Sequence, residues 1–138
     1  MMTTINRYLF VYGTLLANGN RYAAYLQLHC KLIGEGKFKG RLYDIGEYPG
    51  AVNDIENDQF VYGSIYLMDD AIKILGVIDE YEGIGVNEPE PHEYTRSLTN
   101  IETENGIVTC WVYIYKWPVE GKFQIMNGNY LQYLKQKQ

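Results

Sequence analysis

The chain has 138 residues, 46% hydrophobic and 21% charged, which excludes a disordered tail and points to one folded domain over residues 1–138. Two cysteines (Cys30, Cys110) and two histidines (His29, His92) are too few for a disulfide framework, a multi-cysteine zinc module or a histidine-rich metal centre. The net charge of -5 is uneven, with thirteen acids and one base, Lys73, between Asp44 and Glu93; this leaves no clean basic face for nucleic acid and reads as an acidic, solvated surface.

Arg7 and the apolar run behind it have the outline of a secretion signal. Tyr8, Tyr12, Gly13 and Thr14 interrupt that run, so the better reading is a buried strand, Tyr8 to Tyr12, closed by a turn. A cytoplasmic protein is expected. No apolar run reaches the roughly 18 residues that span a membrane. After an Asn18-Gly19-Asn20 turn, Arg21 to Leu28 reads as a short helix. Residues 31–44 carry Gly34, Gly36 and Gly40 among alternating side chains, the pattern of a bent or bulged strand. Those glycines are spaced G-x-G-x-x-x-G with no helix pattern behind them, which argues against a dinucleotide loop.

Phe60 to Met68 is a further strand, and Asp69 and Asp70 offer caps to a helix over Ala71–Tyr81. Glu93–Ile101 and Ile107–Tyr115 read as a hairpin around Glu104-Asn105-Gly106. In its second strand Val108, Cys110, Val112 and Ile114 form one apolar face, while Trp111, Tyr113 and Tyr115 make the other face aromatic. Both faces should therefore be covered. A last short helix spans about Asn129 to Lys135. The expected class is α+β, a small mixed β-barrel with a few short helices packed around it.

One carboxylate stands on the wrong face. At about 100° per residue, Ala71, Ile74, Leu75 and Ile78 share a stripe, and Glu82 lies on it one turn further on. Glu80 points away and Asp79 lies on the flank. Gly83 is a plausible terminator, which puts Glu82 at the carbonyl end of the helix. Burial and the dipole there both disfavour a charged carboxylate, so its pKa should rise unless a cation compensates. A general acid/base working near neutral pH needs such a shift. The competing reading is a structural ion pair with Arg96, or a helix that frays before Glu82. His92, in a loop with Pro89 and Pro91, reads as a surface residue, and the adjacent His29-Cys30 as incidental.

A second element is Tyr12-Gly13-Thr14-Leu15. A glycine directly after a buried strand can adopt φ > 0 and turn the chain, and successive backbone N–H groups in such a turn can converge on a carboxylate. The competing reading is an ordinary turn.

In order along the chain stand Val11-Tyr12-Gly13-Thr14-Leu15, Tyr48-Pro49-Gly50, Asp79-x-Tyr81-Glu82-Gly83, Tyr94-x-Arg96, Trp111-Val112-Tyr113 and Gly128-Asn129-Tyr130. Together they resemble the γ-glutamylcyclotransferase-like (AIG2-like) family. The resemblance implies a small mixed barrel with a pocket at one mouth. It implies that backbone groups of Tyr12, Gly13, Thr14 and Leu15 hold the substrate's amino-acid end, and that Glu82 is the acid/base. Tyr113 is a weaker candidate for a pocket hydroxyl. The chain departs from the family pattern at Gly50, where alanine is common, at Tyr130, where tryptophan is common, and in the long acidic stretch from Ile84 to Glu93.

The implied reaction is intramolecular. The free α-amine of a γ-glutamyl group attacks its own γ-carbonyl, closes the ring of 5-oxoproline and expels an amine, which could be an amino acid, a lysine side chain or an aminoglycoside-like amine. The nucleophile belongs to the substrate, so the expectation is no cofactor, no metal, no nucleic acid or membrane partner, and a small γ-glutamyl molecule as substrate, with the oligomeric state left open by the sequence. Two rivals remain at this level: a non-catalytic domain binding an amino-acid-like ligand in the same pocket, and an interaction domain using the acidic block.

Overall fold

The computed structural model describes residues 5–13, 21–84 and 90–137. Its frame is set by a short strand buried on both sides. β1 (Tyr8–Val11) pairs antiparallel with β4 (Phe60–Met68), Tyr8 opposite Leu67, and parallel with β6 (Gly106–Tyr115), Leu9 opposite Trp111. β6 pairs with β5 (Tyr94–Thr103) through the expected hairpin, with Thr103 opposite Gly106. β4 pairs with the first part of β2 (Cys30–Asp44), and Lys37 of β2 meets Glu102 of β5. That last contact closes a ring β2-β4-β1-β6-β5, a five-stranded mixed barrel.

The glycine-rich stretch is the bulged strand that its pattern predicts, with the register slipping between Leu32 and Gly34. Past the barrel seam, β2 continues alone and its end, Gly40–Asp44, pairs with β3 (Pro49–Asn53). β7 (Phe123–Gln124) pairs with its last two residues. Neither β3 nor β7 is evident from sequence: β3 opens on a proline and lacks alternation, and two residues show no period.

Three helices are described. α1 (Arg21–His29) and α2 (Ala71–Tyr81) cover one outer face, and α3 (Tyr130–Lys137) begins at Tyr130 and not at Asn129. Asn129 is instead its cap, the side-chain oxygen accepting from the Gln132 N–H at 3.0 Å. Asp70 caps α2 in the same way, accepting from the Lys73 N–H. Among the described residues no helix is long and apolar enough to cross a membrane.

Two apolar clusters follow from strand alternation. Phe10, Tyr12, Phe38, Val61, Ile65, Cys110, Val112 and Ile114 fill the barrel. Leu9, Val11, Tyr113 and Tyr115 face outward and are covered by Ala71, Ile74, Leu75 and Ile78 of α2. The aromatic face of β6 is thus the floor beneath the helices, as its composition suggests. Each fully buried Ile or Leu of that stripe contributes roughly 1.5–3 kcal/mol, which anchors α2 and orients what comes at its end.

Candidate active site

The end of α2 is a tight stop. Glu82 caps the helix, its N–H reaching the Ile78 carbonyl at 2.9 Å. Gly83 takes φ +75° and donates to Glu80 O, and the Ile84 N–H donates to Asp79 O at 2.8 Å. This double bond pattern with a left-handed residue is a Schellman closure. The helix therefore does not fray, and the Glu82 side chain continues the buried stripe into a cavity of about 300 Å³.

That cavity is lined by the end of β1 (Val11 to Gly13), the entry to β3 (Tyr48, Pro49), the α2 terminus (Tyr81 to Gly83) and Glu93, Tyr94 and Tyr113 of the hairpin. Glu82 and Gly13, far apart in the chain, line the same space. Thr14 and Leu15 lie outside the described residues. Gly13 does not use a positive φ, contrary to expectation. Its requirement is space: a Cβ there would sit 2.7 Å from Pro49 Cγ, so glycine is needed for close approach of β1 to the β3 entry.

Most hydroxyls around the cavity are committed to the protein. Tyr12 donates to the Tyr113 carbonyl at 2.5 Å and accepts from the Ala51 N–H at 3.2 Å. Tyr94 donates to the Pro49 carbonyl at 2.6 Å, and Tyr48 donates to the Glu93 carboxylate. These bonds fasten the start of β3, a segment with little core of its own, to β1 and β5. The Tyr113 hydroxyl, expected to serve as a pocket group, donates instead to Asp79 at 2.6 Å. Burial and the Asp79 carboxylate both push its pKa up.

Arg96 does not pair with Glu82. Its guanidinium forks onto both oxygens of Asp79, at 2.8 and 3.1 Å, while its face covers Trp111. Glu82 thus keeps a neighbouring carboxylate and gains no cation from this pair. Burial first, then Glu93, then Asp79 push its carboxyl up from 4.5 to about 8. Glu80 is exposed.

Glu93, Tyr48 and Pro49 belong to the cavity and were not singled out as site residues by sequence. Glu93 sits where a strand is about to begin, in an acidic stretch that reads as solvated. The acidic block is only partly a solvated face: Asp44, Asp54 and Asp79 are in ion pairs with Lys137, Arg41 and Arg96, and Glu82 and Glu93 line the cavity. Tyr130, a departure from the family pattern, is buried against the barrel core and does not line this cavity. His92 is half-buried and outside the lining. Among the described residues no group of three or more His, Cys, Asp or Glu could hold a metal ion.

The profile of the family described as gamma-glutamyl cyclotransferase, AIG2-like, matches residues 9–132. A Vibrio cholerae relative is 41% identical over 110 residues, 78% of this chain and 81% of its own. The gamma-glutamylcyclotransferase family protein YtfP of Escherichia coli is 33% identical over 125 residues, 89% of this chain and 95% of its own. The solution structure of Escherichia coli YtfP superimposes with a TM-score of 0.63, covering 91% of this chain and 97% of that one at 30% identity. An AIG2-like protein of mouse shares the fold at 23% identity, with a TM-score of 0.61 over 83% of this chain and 90% of that one.

Proposed function

The chain belongs to the gamma-glutamyl cyclotransferase, AIG2-like family, and from that premise we propose that it cyclises γ-glutamyl amides, releasing 5-oxoproline and a free amine. The observation that supports this most is Glu82, a carboxyl raised to about 8 inside the cavity that the end of β1 also lines. Such a group exchanges protons near neutral pH.

In this reading the substrate's α-ammonium enters beside Glu82, and its positive charge favours the carboxylate form. Glu82 takes one proton from that ammonium. The freed nitrogen lone pair attacks the γ-carbonyl carbon and forms the ring C–N bond. The bond to the departing amine then breaks as that nitrogen receives the proton held by Glu82 and keeps the electron pair. The ring nitrogen gives up its second proton, again through Glu82, to the released amine, which leaves as an ammonium. Every atom of the products comes from the substrate. The cavity's largest task is to fold the glutamyl chain so that amine and carbonyl meet, and proximity is worth up to ~7–11 kcal/mol in ideal cases.

Backbone N–H groups of the segment Tyr12 to Leu15 would take the substrate's α-carboxylate, as the family resemblance implies. Gly13 supports this role, because it lines the cavity with backbone alone. Tyr113 acts through Asp79, holding a carboxylate that, after burial and Glu93, adds to the Glu82 proton affinity.

The test is direct. Purified protein is incubated with γ-glutamyl amides of several amines, and 5-oxoproline is quantified. Release that depends on protein supports the reading; saturable binding with no 5-oxoproline would replace it with a ligand-binding domain.

A further inference from the structure

The glutamyl group brings one ammonium and one carboxylate, and in the reading above Glu82 takes the ammonium. A second carboxylate, Glu93, lines the same cavity, close enough to raise the proton affinity of Glu82. Its Oε2 accepts from the Tyr48 hydroxyl, which pins the side chain, while no described residue donates to Oε1. The described Lys and Arg ion pairs are Arg41–Asp54, Arg96–Asp79 and Lys137–Asp44, and His29 lies 3.3 Å from Asp69. None includes Glu82 or Glu93.

The described lining contains no Lys, Arg or His, and its remaining wall is largely aromatic, with Phe10, Tyr48 and Tyr94. Carboxylates beside aromatic rings favour a cation over a neutral group and repel an anion. The partly buried setting makes that discrimination larger than on an open surface.

We propose that Glu93, tethered by Tyr48, forms a leaving-group subsite that selects γ-glutamyl amides of amines carrying a second cationic group. The proposal rests on the cyclisation reading for the placement of the glutamyl end. It narrows the substrate class: a diamine-like leaving group is accepted, a neutral alkylamine less well, and an amino-acid leaving group, with its own carboxylate, least. The cavity volume of about 300 Å³ is at the small end for ligand sites and suits a glutamyl group with a short amine.

Three γ-glutamyl amides of nearly equal length test this, made with diaminobutane, n-butylamine and aminobutyrate, so that the leaving group ends in a cation, a methyl or an anion. Affinity is measured by calorimetry and kcat/KM by 5-oxoproline release, for the wild type and Glu93→Gln at low ionic strength. The wild type should favour the diaminobutane amide over the butylamine amide by roughly ten-fold or more, with the aminobutyrate amide weakest. Glu93→Gln should bring the cation-to-methyl ratio to within about two-fold of unity, whatever its overall rate. If that variant does not fold, Tyr48→Phe, which frees the Glu93 side chain, should shrink the ratio several-fold.

Equal treatment of the three amides by the wild type, or an unchanged ratio in the variant, overturns the subsite. The two readings separate cleanly. Turnover of all three amides at similar efficiency leaves cyclisation standing and removes the subsite. The expected order of binding without any 5-oxoproline keeps the subsite and removes cyclisation.

Discussion

The guanidinium of Arg96 holds both carboxylate oxygens of Asp79, at 2.8 and 3.1 Å. The cation that could have neutralised Glu82 is thereby spent on the preceding turn of the same helix. Asp79 also accepts from Tyr113, so one carboxylate ties α2 to both strands of the hairpin. Its negative charge, only partly offset, is one of the causes that hold the Glu82 proton.

Arg96→Met should therefore destabilise the fold by about 2–3 kcal/mol, since a partly buried carboxylate loses a charged, two-pronged partner. Denaturant midpoints measure this. Adding Asp79→Asn to that variant should recover part of the loss, because no unpaired charge then remains. Equal stability of wild type and Arg96→Met would mean that the pair contributes nothing net.

Glu82→Gln should lower kcat/KM by ~10²–10⁴, whereas Glu80→Gln should stay within a few-fold of wild type. The contrast follows from geometry: Glu82 lines the cavity and Glu80 is exposed. Steady-state rates of 5-oxoproline release from one γ-glutamyl amide decide it. Full activity of Glu82→Gln removes the acid/base assignment.

The raised carboxyl also makes stability depend on pH. Glu82 titrates at about 8 when folded against an ordinary 4.5, so the folded chain holds this proton more tightly than the unfolded chain. Its stabilising contribution is complete below about 4.5 and is lost as pH rises through about 8. Glu82→Gln should match the wild type below about pH 4.5 and melt progressively higher as pH rises through the interval up to about 8, by several degrees in mild alkali. For catalysis, kcat/KM of the wild type should climb through the same region, because the free enzyme must present the carboxylate to a substrate ammonium. Parallel melting curves of the two proteins at all pH values would show that the proton is not held.

Gly13→Ala places a Cβ 2.7 Å from Pro49 Cγ, so one of the two segments must shift. The expected result is a raised KM and a lower melting temperature, by an amount typical of overpacking, ~1–3 kcal/mol. Pro49→Ala removes the Cγ, and the double variant should regain part of both losses. Additive losses in the double variant would mean that the contact does not matter.

An N-acetyl-γ-glutamyl amide should give no product at all, because acetylation removes the attacking lone pair and the ammonium that Glu82 deprotonates. Chromatographic detection of the released amine checks this. Hydrolysis of the blocked amide at a comparable rate would falsify cyclisation by the substrate's own nitrogen.

Local rules made much of this molecule legible in its sequence. The apolar stripe Ala71, Ile74, Leu75 and Ile78 is buried as its spacing requires, and Gly83 ends the helix with a left-handed turn. The two covered faces of β6, the bulged glycine strand and the hairpin at Asn105-Gly106 follow from periods of two and from turn chemistry. Periodicity also aims Glu82 inward, since its stripe needs no knowledge of what it faces.

What faces Glu82 is a different matter, and only the tertiary structure decided it. Gly13, Pro49 and Glu93 reach the cavity through barrel closure and through β3, which hangs on the free end of β2. No local pattern encodes those distances. Arg96 could have paired with either Asp79 or Glu82. The choice rests on the register of β5 against β6, which sets Arg96 opposite Tyr113 and brings both side chains to Asp79. Long-range pairing thus determined which carboxylate is neutralised and which keeps its proton, because electrostatic environment depends on distances in space and not along the chain.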